Sequence, residues 1–157
     1  MIQNPFSGVL NWQEYNMAQK DSRRLFMVVP YLYPDLASGM ANGDYHLQND
    51  SDGNGTYVVW HNNEIPKPTD QELADAKEDA MSAWWWKELR RIRNNLLDDT
   101  DKYVVSDRPE NINWVTYRQE LRDLPATVIK PDFATLNNQS IGEWDISSLM
   151  PTKPSEE

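Results

Sequence analysis

Three stretches of this sequence hold residue types that can do chemistry. Asp50-Ser51-Asp52-Gly53-Asn54-Gly55-Thr56 places side-chain oxygens at alternate positions and glycine at the sixth, as the start of a calcium-binding loop does. The twelfth position is His61, where such a loop needs a bidentate glutamate, and the flanks alternate like strands. The same residues suit a tight polar turn, which is the favoured reading. Asp98, Asp99, Asp101 and Asp107 form the second group, since clustered carboxylates can hold magnesium or share acid–base work. No His, Lys or Ser nearby forms a nucleophile pattern, and Arg90, Arg91, Arg93 and Arg108 offer an ion-paired loop as a simpler account. Asp101 could also cap the turn that follows it. The third stretch is Trp84-Trp85-Trp86. Successive helical residues step by about 100°, so three sweep roughly 200° of the circumference. One partner helix covers a stripe of about 100–140°. At least one indole is therefore expected outside a two-helix core, covered by another part of the chain or open to a second protein as a hot spot.

The elements that must position these residues separate by texture into three regions. Residues 1–66 are strand-like and turn-rich. Leu25 to Val29, ended by Pro30, is compatible with a buried strand. Asp44 to Gln48 and Thr56 to His61 alternate, with Tyr45 and Leu47 on one face of the first and Val58 and Trp60 on one face of the second. The Asn49–Gly55 stretch between them predicts a β-hairpin. Pro66 and Pro68 mark a boundary, and Thr69-Asp70-Gln71-Glu72 is a capping box opening a helix expected to run to about Asp98. Leu73, Ala76, Ala80 and Trp84 make one stripe of it, and Trp85, Leu89, Ile92 and Leu96 continue it. A second helix is expected from about Glu110 to Asp123, with Trp114, Tyr117, Leu121 and Leu124 on one face and Pro125 as its stop. The expected fold is α+β: a small antiparallel β module (1–66), an α-helical hairpin (67–125) and an extended tail (126–157). The tail carries Ile129, Phe133, Leu136, Ile141, Trp144, Ile146 and Leu149, too many apolar residues for a solvated linker.

Composition narrows the function. Twenty-five acids against 15 bases give a formal charge of −10, which would repel rather than attract phosphate. The chain has no cysteine, so no disulfide or thiolate zinc site, and its two histidines argue against a multi-histidine centre. The longest apolar run, Leu25 to Tyr33, is broken by Pro30 and falls well short of the ~20 residues a bilayer span needs. Met1 to Pro5 shows no secretory pattern, so a product of the cytosol is expected. Hydrophobic residues make up 39% of the chain, yet it holds seven Trp and seven Tyr. Aromatics suit interfaces as well as cores, so burial completed against another chain is the expectation. No catalytic residue, cofactor or metal is assigned.

The helix pair also reads as a motif. Arg93-Asn94-Asn95-Leu96-Leu97-Asp98-Asp99-Thr100-Asp101 is followed by Asp107-Arg108-Pro109 and then by Trp114-Val115-Thr116-Tyr117-Arg118-Gln119-Glu120-Leu121-Arg122-Asp123-Leu124-Pro125. This resembles the C-terminal signature of phage tail assembly chaperone-like and tail-fibre-associated proteins, over about Glu64 to Pro125. Two features depart from it: Lys102 separates the Thr-Asp pair from Tyr103, and the chain runs well beyond Pro125. Leu96, Leu97, Trp114, Tyr117, Leu121 and Leu124 would close the core between the helices. Arg93, Arg118 and Arg122 could pair in two-pronged fashion with Asp101, Asp107 or Asp123. The resemblance implies a non-enzymatic protein that binds other phage tail proteins, fibre or baseplate subunits, with homo-oligomers left open. A component of the virion tail is the first reading, because a long aromatic tail could grip neighbours. An assembly chaperone absent from the mature virion is the alternative. Trp84, Trp85, Trp86, Phe133 and Trp144 are the candidate partner contacts.

Overall fold

The computed structural model describes residues 24–36, 42–103, 111–136, 139 and 144–155. The chain divides into two compact units, residues 1–84 with 132–143 and residues 85–131 with 144–157. The expected α+β class is what the structure shows: a two-stranded antiparallel sheet together with helices.

In the first unit, Leu25–Leu32 is a helix (α1), not the strand expected from its apolar run. Leu25, Met27, Val28 and Val29 are buried and Phe26 is half-buried, and an apolar run with so little polar interruption carries no period that separates strand from helix. Pro30 lies inside α1 near its end, where its missing N–H removes one late intrahelical bond, and Tyr33 still donates to the Val29 carbonyl at 3.0 Å. Arg24 precedes α1 in the left-handed region (φ 54°) and is buried. Its carbonyl accepts from Met27 and Val28, while its Nη2 donates to the carbonyls of Leu136 and Gln139. The one-turn helix Phe133–Leu136 is thereby tied to the start of α1.

Strands β1 (Tyr45–Gln48) and β2 (Tyr57–Trp60) pair as the alternation predicted, Tyr45 opposite Trp60 and Leu47 opposite Val58. Tyr45 and Val58 are buried. Trp60 stacks on Tyr45 at 5.8 Å and meets Tyr33 at 5.4 Å, and its Nε1 donates to the Ile65 carbonyl at 2.8 Å. Burial, reinforced by the Asp44 carboxylate, pushes the Tyr45 phenol up to about 12 from its ordinary 10.0. A folded value above the unfolded one gives stability that is complete below pH 10 and is lost as pH rises towards 12. Ultraviolet titration of phenolate absorbance should therefore show a late-ionising group that Tyr45→Phe removes.

Helix α2 (Asp70–Asp75) opens on the predicted capping box. The Glu72 amide donates to Thr69 Oγ1 at 3.2 Å, and the Thr69 amide donates to the Glu72 carboxylate at 2.7 Å. The expected single helix is interrupted at Ala76, whose backbone stays right-handed (φ −80°, ψ −8°), and α3 then runs from Lys77 to Thr100. Thr69→Ala should cost about 1 kcal/mol, read from the denaturant midpoint. The Thr69 bonds hold the Glu72 carboxyl below its ordinary value, so its share of this cap persists above that value and fades as pH falls through the lowered one.

In the second unit, the later part of α3 packs with α4 (Ile112–Thr127). Asn111 caps α4 by accepting from the Asn113 amide at 3.0 Å. Pro125 does not stop this helix, which continues to Thr127. So near the end the proline removes one bond, to the Leu121 carbonyl, and the Val128 amide still reaches the Leu124 carbonyl at 3.0 Å. Trp114, Tyr117 and Leu121 form the buried core, with Leu96, Leu97, Tyr103 and Met150 packed against it.

Candidate functional site

The Asn49–Thr56 stretch spends its oxygens on its own turn. Asn49 Oδ1 accepts from the Ser51 amide at 2.9 Å, and Asp52 accepts from the Asn54 amide and side chain at 3.0 and 2.8 Å. Those Asn54 bonds hold the Asp52 carboxyl below its usual range. Asp50 takes the Tyr57 hydroxyl at 2.7 Å and the Gln48 amide at 2.6 Å. Ser51, Gly53 and Gly55 all sit at positive φ, as a sharp polar turn requires. On the other face of the sheet from Tyr45, His61 Nε2 meets His46 Nδ1 at 2.9 Å with the rings stacked, a pairing the sequence reading missed. The signal was available, because positions 46 and 61 fall on one face once the register is known. Among the described residues no group of three or more His, Asp or Glu side chains is placed to hold a metal ion.

The second acidic group is organised by a single arginine. Asp98 and Asp99 are exposed at the C-terminal end of α3, where carboxylates oppose the helix dipole and the last carbonyls lack intrahelical donors. Arg118, on the buried face of α4, supplies both the cation and the donor. Its Nη1 donates to the Leu97 carbonyl and to Thr100 Oγ1 at 2.8 Å, and its Nη2 donates to Asp101 Oδ1 at 2.6 Å. Thr100, itself buried, has its hydroxyl within donating distance of the Leu96 carbonyl at 2.8 Å and the Leu97 carbonyl at 3.0 Å. The guanidinium thus spans one carboxylate, one carbonyl and one hydroxyl instead of making the expected two-pronged ion pair. Arg91 pairs with Glu88 at 2.6 Å, and Arg93 donates to its neighbour Asn94, so neither serves the acidic end of α3 in these contacts. Asp123 accepts from Gln119, and Arg122 is exposed. Asp107 and Arg108 lie outside the described residues.

The motif residues Leu96, Leu97, Trp114, Tyr117 and Leu121 meet in one cluster, and Leu124 is buried on the same helix. Contacts run Tyr103 to Trp114, Asp101 to Arg118 and Leu97 to Arg118, the order of an antiparallel pair. Tyr103 lies almost parallel on Trp114 at 3.9 Å and 8°, while Tyr117 meets Trp114 edge-on at 6.0 Å. Lys102, the residue out of register with the motif, lies over the Tyr103 ring at 4.8 Å.

The candidate partner contacts fall into two kinds. Trp85, Phe133 and Trp144 are buried, at 3%, 2% and 6% exposure. Trp84 and Trp86 are half-buried; Trp86 meets Trp85 edge-on at 4.9 Å and lies under the Arg90 guanidinium at 5.7 Å. Among the described residues the exposed large apolar side chains are Tyr31, Ile112, Ile129 and Leu149, none of them an indole. Of the five candidate contacts, Trp84 and Trp86 are thus the two that keep open surface. No described helix is long and apolar enough to cross a membrane.

Residues 86–142 match the phage tail assembly chaperone protein family, and residues 25–85 match the XkdW protein family. Neither a curated protein nor a solved structure matches the chain. The two family matches meet inside α3, one position from the division between the compact units. The Arg118 cluster lies wholly within the first of these matches, so the hairpin is the part of the chain that is similar to the phage tail assembly chaperone family, and the two matches together support a phage tail-related protein.

Proposed function

We propose that this protein is a non-enzymatic tail assembly chaperone that binds another phage tail protein, a fibre or baseplate subunit, in the host cytoplasm. The observation that carries the reading is the coincidence of the family match with the α3–α4 hairpin and its Arg118 cluster. In that cluster the charged groups are spent on fixing the end of α3, which builds a rigid binding element rather than a reaction centre. Trp84 and Trp86, half-buried on α3 where the two family matches meet, offer the partner contact, because tryptophan is enriched among interface hot spots and these indoles keep surface that a partner could cover. The virion-component reading drew on a tail whose aromatic residues could grip neighbours. Phe133, Trp144 and Ile146 are buried within this chain, while Ile129 and Leu149 of the same tail stay exposed, so the aromatic residues of the tail lend that reading less support than the family match lends the chaperone.

Mass spectrometry of infected-cell lysate and of purified particles tests the proposal. The protein should be abundant in the lysate and missing from particles, and phage lacking it should accumulate unassembled tails. Its recovery from particles at a fixed ratio to a tail protein would establish the virion-component reading instead.

A further inference from the structure

Beyond that function, the solvent face of the β-hairpin carries an inference of its own. His46 lies in β1, and His61 directly follows β2, with its amide donating to the Asp44 carbonyl at 2.7 Å. The ladder register sets the two residues diagonally across the strands on one face, and both side chains are exposed. His61 Nε2 and His46 Nδ1 stand 2.9 Å apart. Neighbouring hydrogen bonds fix which nitrogen carries hydrogen. Gln48 donates its side-chain amide to Asp50 at 2.6 Å, which leaves Gln48 Oε1 facing His46 Nε2 at 3.3 Å. His46 Nε2 is then the donor, and His46 Nδ1 presents its lone pair to the Nε2–H of His61. A ring N–H held by an outer acceptor is the support that orients metal-ligating histidines.

We propose that His46 and His61 form a two-histidine chelate for a divalent transition-metal ion of square-planar or octahedral preference, Ni²⁺ or Cu²⁺. Spacing selects that class. At an imidazole bond of ~2.1 Å, two ligands at right angles stand about 3 Å apart, whereas tetrahedral ligands stand about 3.4 Å apart. The 2.9 Å between the two nitrogens matches the first. The ring planes differ by 28°, so a modest turn of each exposed ring about its Cβ–Cγ bond aims both lone pairs at one ion. The ion takes the place of the shared hydrogen: the His61 proton moves from Nε2 to Nδ1, and no proton leaves the pair. Two protein ligands suffice for such a chelate, the other positions being filled by water. A bound ion staples β1 to the end of β2.

The chain holds two histidines in all, so every imidazole signal belongs to this pair. Proton NMR of the full-length protein is followed while Ni²⁺, a paramagnetic probe, is added below one equivalent. Both histidine ring signals should broaden together. Broadening of one without the other, or of neither, overturns the chelate. In His46→Gln and in His61→Gln, the remaining ring signal should need at least about tenfold more Ni²⁺ to broaden, because one arm alone loses the advantage of linked ligands. A remaining histidine that broadens at the wild-type concentration of Ni²⁺ shows that each ring binds by itself, and the proposal falls. Neither result touches the particle-content test of the proposed function.

Discussion

Arg118→Ala should destabilise the protein by about 3 kcal/mol, which for a chain of this size lowers the melting temperature by roughly 6–12 °C. The size follows from what the side chain does. It is 7% exposed, and its removal deletes a charged hydrogen bond to the Leu97 carbonyl at the end of α3, which then keeps only the weaker Thr100 hydroxyl at 3.0 Å among its side-chain donors. It also leaves Thr100 Oγ1 without the guanidinium bond and opens a gap on the buried face of α4. The Asp101 half of the arrangement is worth much less, because that carboxylate is 67% exposed and its ion pair is screened by water. Asp101→Asn should accordingly cost less than about 1 kcal/mol. Arg118→Lys should recover little, since one ammonium cannot reach Leu97, Thr100 and Asp101 together from a point charge. Guanidinium denaturation followed by near-ultraviolet circular dichroism ranks the three variants. Equal losses in Arg118→Ala and Asp101→Asn would mean that the ion pair, not the helix-end contact, holds the hairpin.

That contact marks the limit of what the sequence made legible. Strict alternation identified β1 and β2 and their shared faces, because a period of two leaves one register that buries Tyr45 with Val58. The capping box was legible for the same reason: it is chemistry between residues three apart. Leu25 to Val29 was not, because five consecutive apolar residues show no polar–apolar period, and helix and strand then differ only in tertiary surroundings. Pro125 was over-read as a stop, although a proline in the last turn removes a single bond. At the site, the identity of Arg118 as a motif residue was visible, but its partners were sought among carboxylates. A backbone carbonyl has no sequence signature, so the Leu97 acceptor became visible through the fold alone. Burial of Trp85 and Trp144 likewise depends on what lies over them, which helical spacing does not encode.

Trp114→Ala should have an effect of similar or greater size, about 3–5 kcal/mol, by a different physical route. The indole is 3% exposed and is the hub on which Tyr103, Tyr117 and Lys153 converge. Its removal deletes the surface that the Tyr103 ring lies on and the edge contact to Tyr117, and leaves a cavity that packed helices close poorly. Trp114→Phe keeps an aromatic face for Tyr103 and should lose roughly 1–2 kcal/mol, the range expected when a smaller ring fills most of the space. Trp86→Ala, at a half-buried position on α3, should cost on the order of 1 kcal/mol while weakening capture of a fibre or baseplate subunit of the same phage when the two are co-expressed. The pair of measurements separates two uses of tryptophan in one helical hairpin. Trp114 closes the core, so its loss lowers the unfolding midpoint in the absence of any partner. In the proposed function Trp86 is the partner contact, so its loss should lower recovery of the complex on size exclusion more than it lowers the midpoint. If Trp86→Ala costs as much stability as Trp114→Ala and the complex survives, both indoles belong to the core and the partner surface lies elsewhere on the chain.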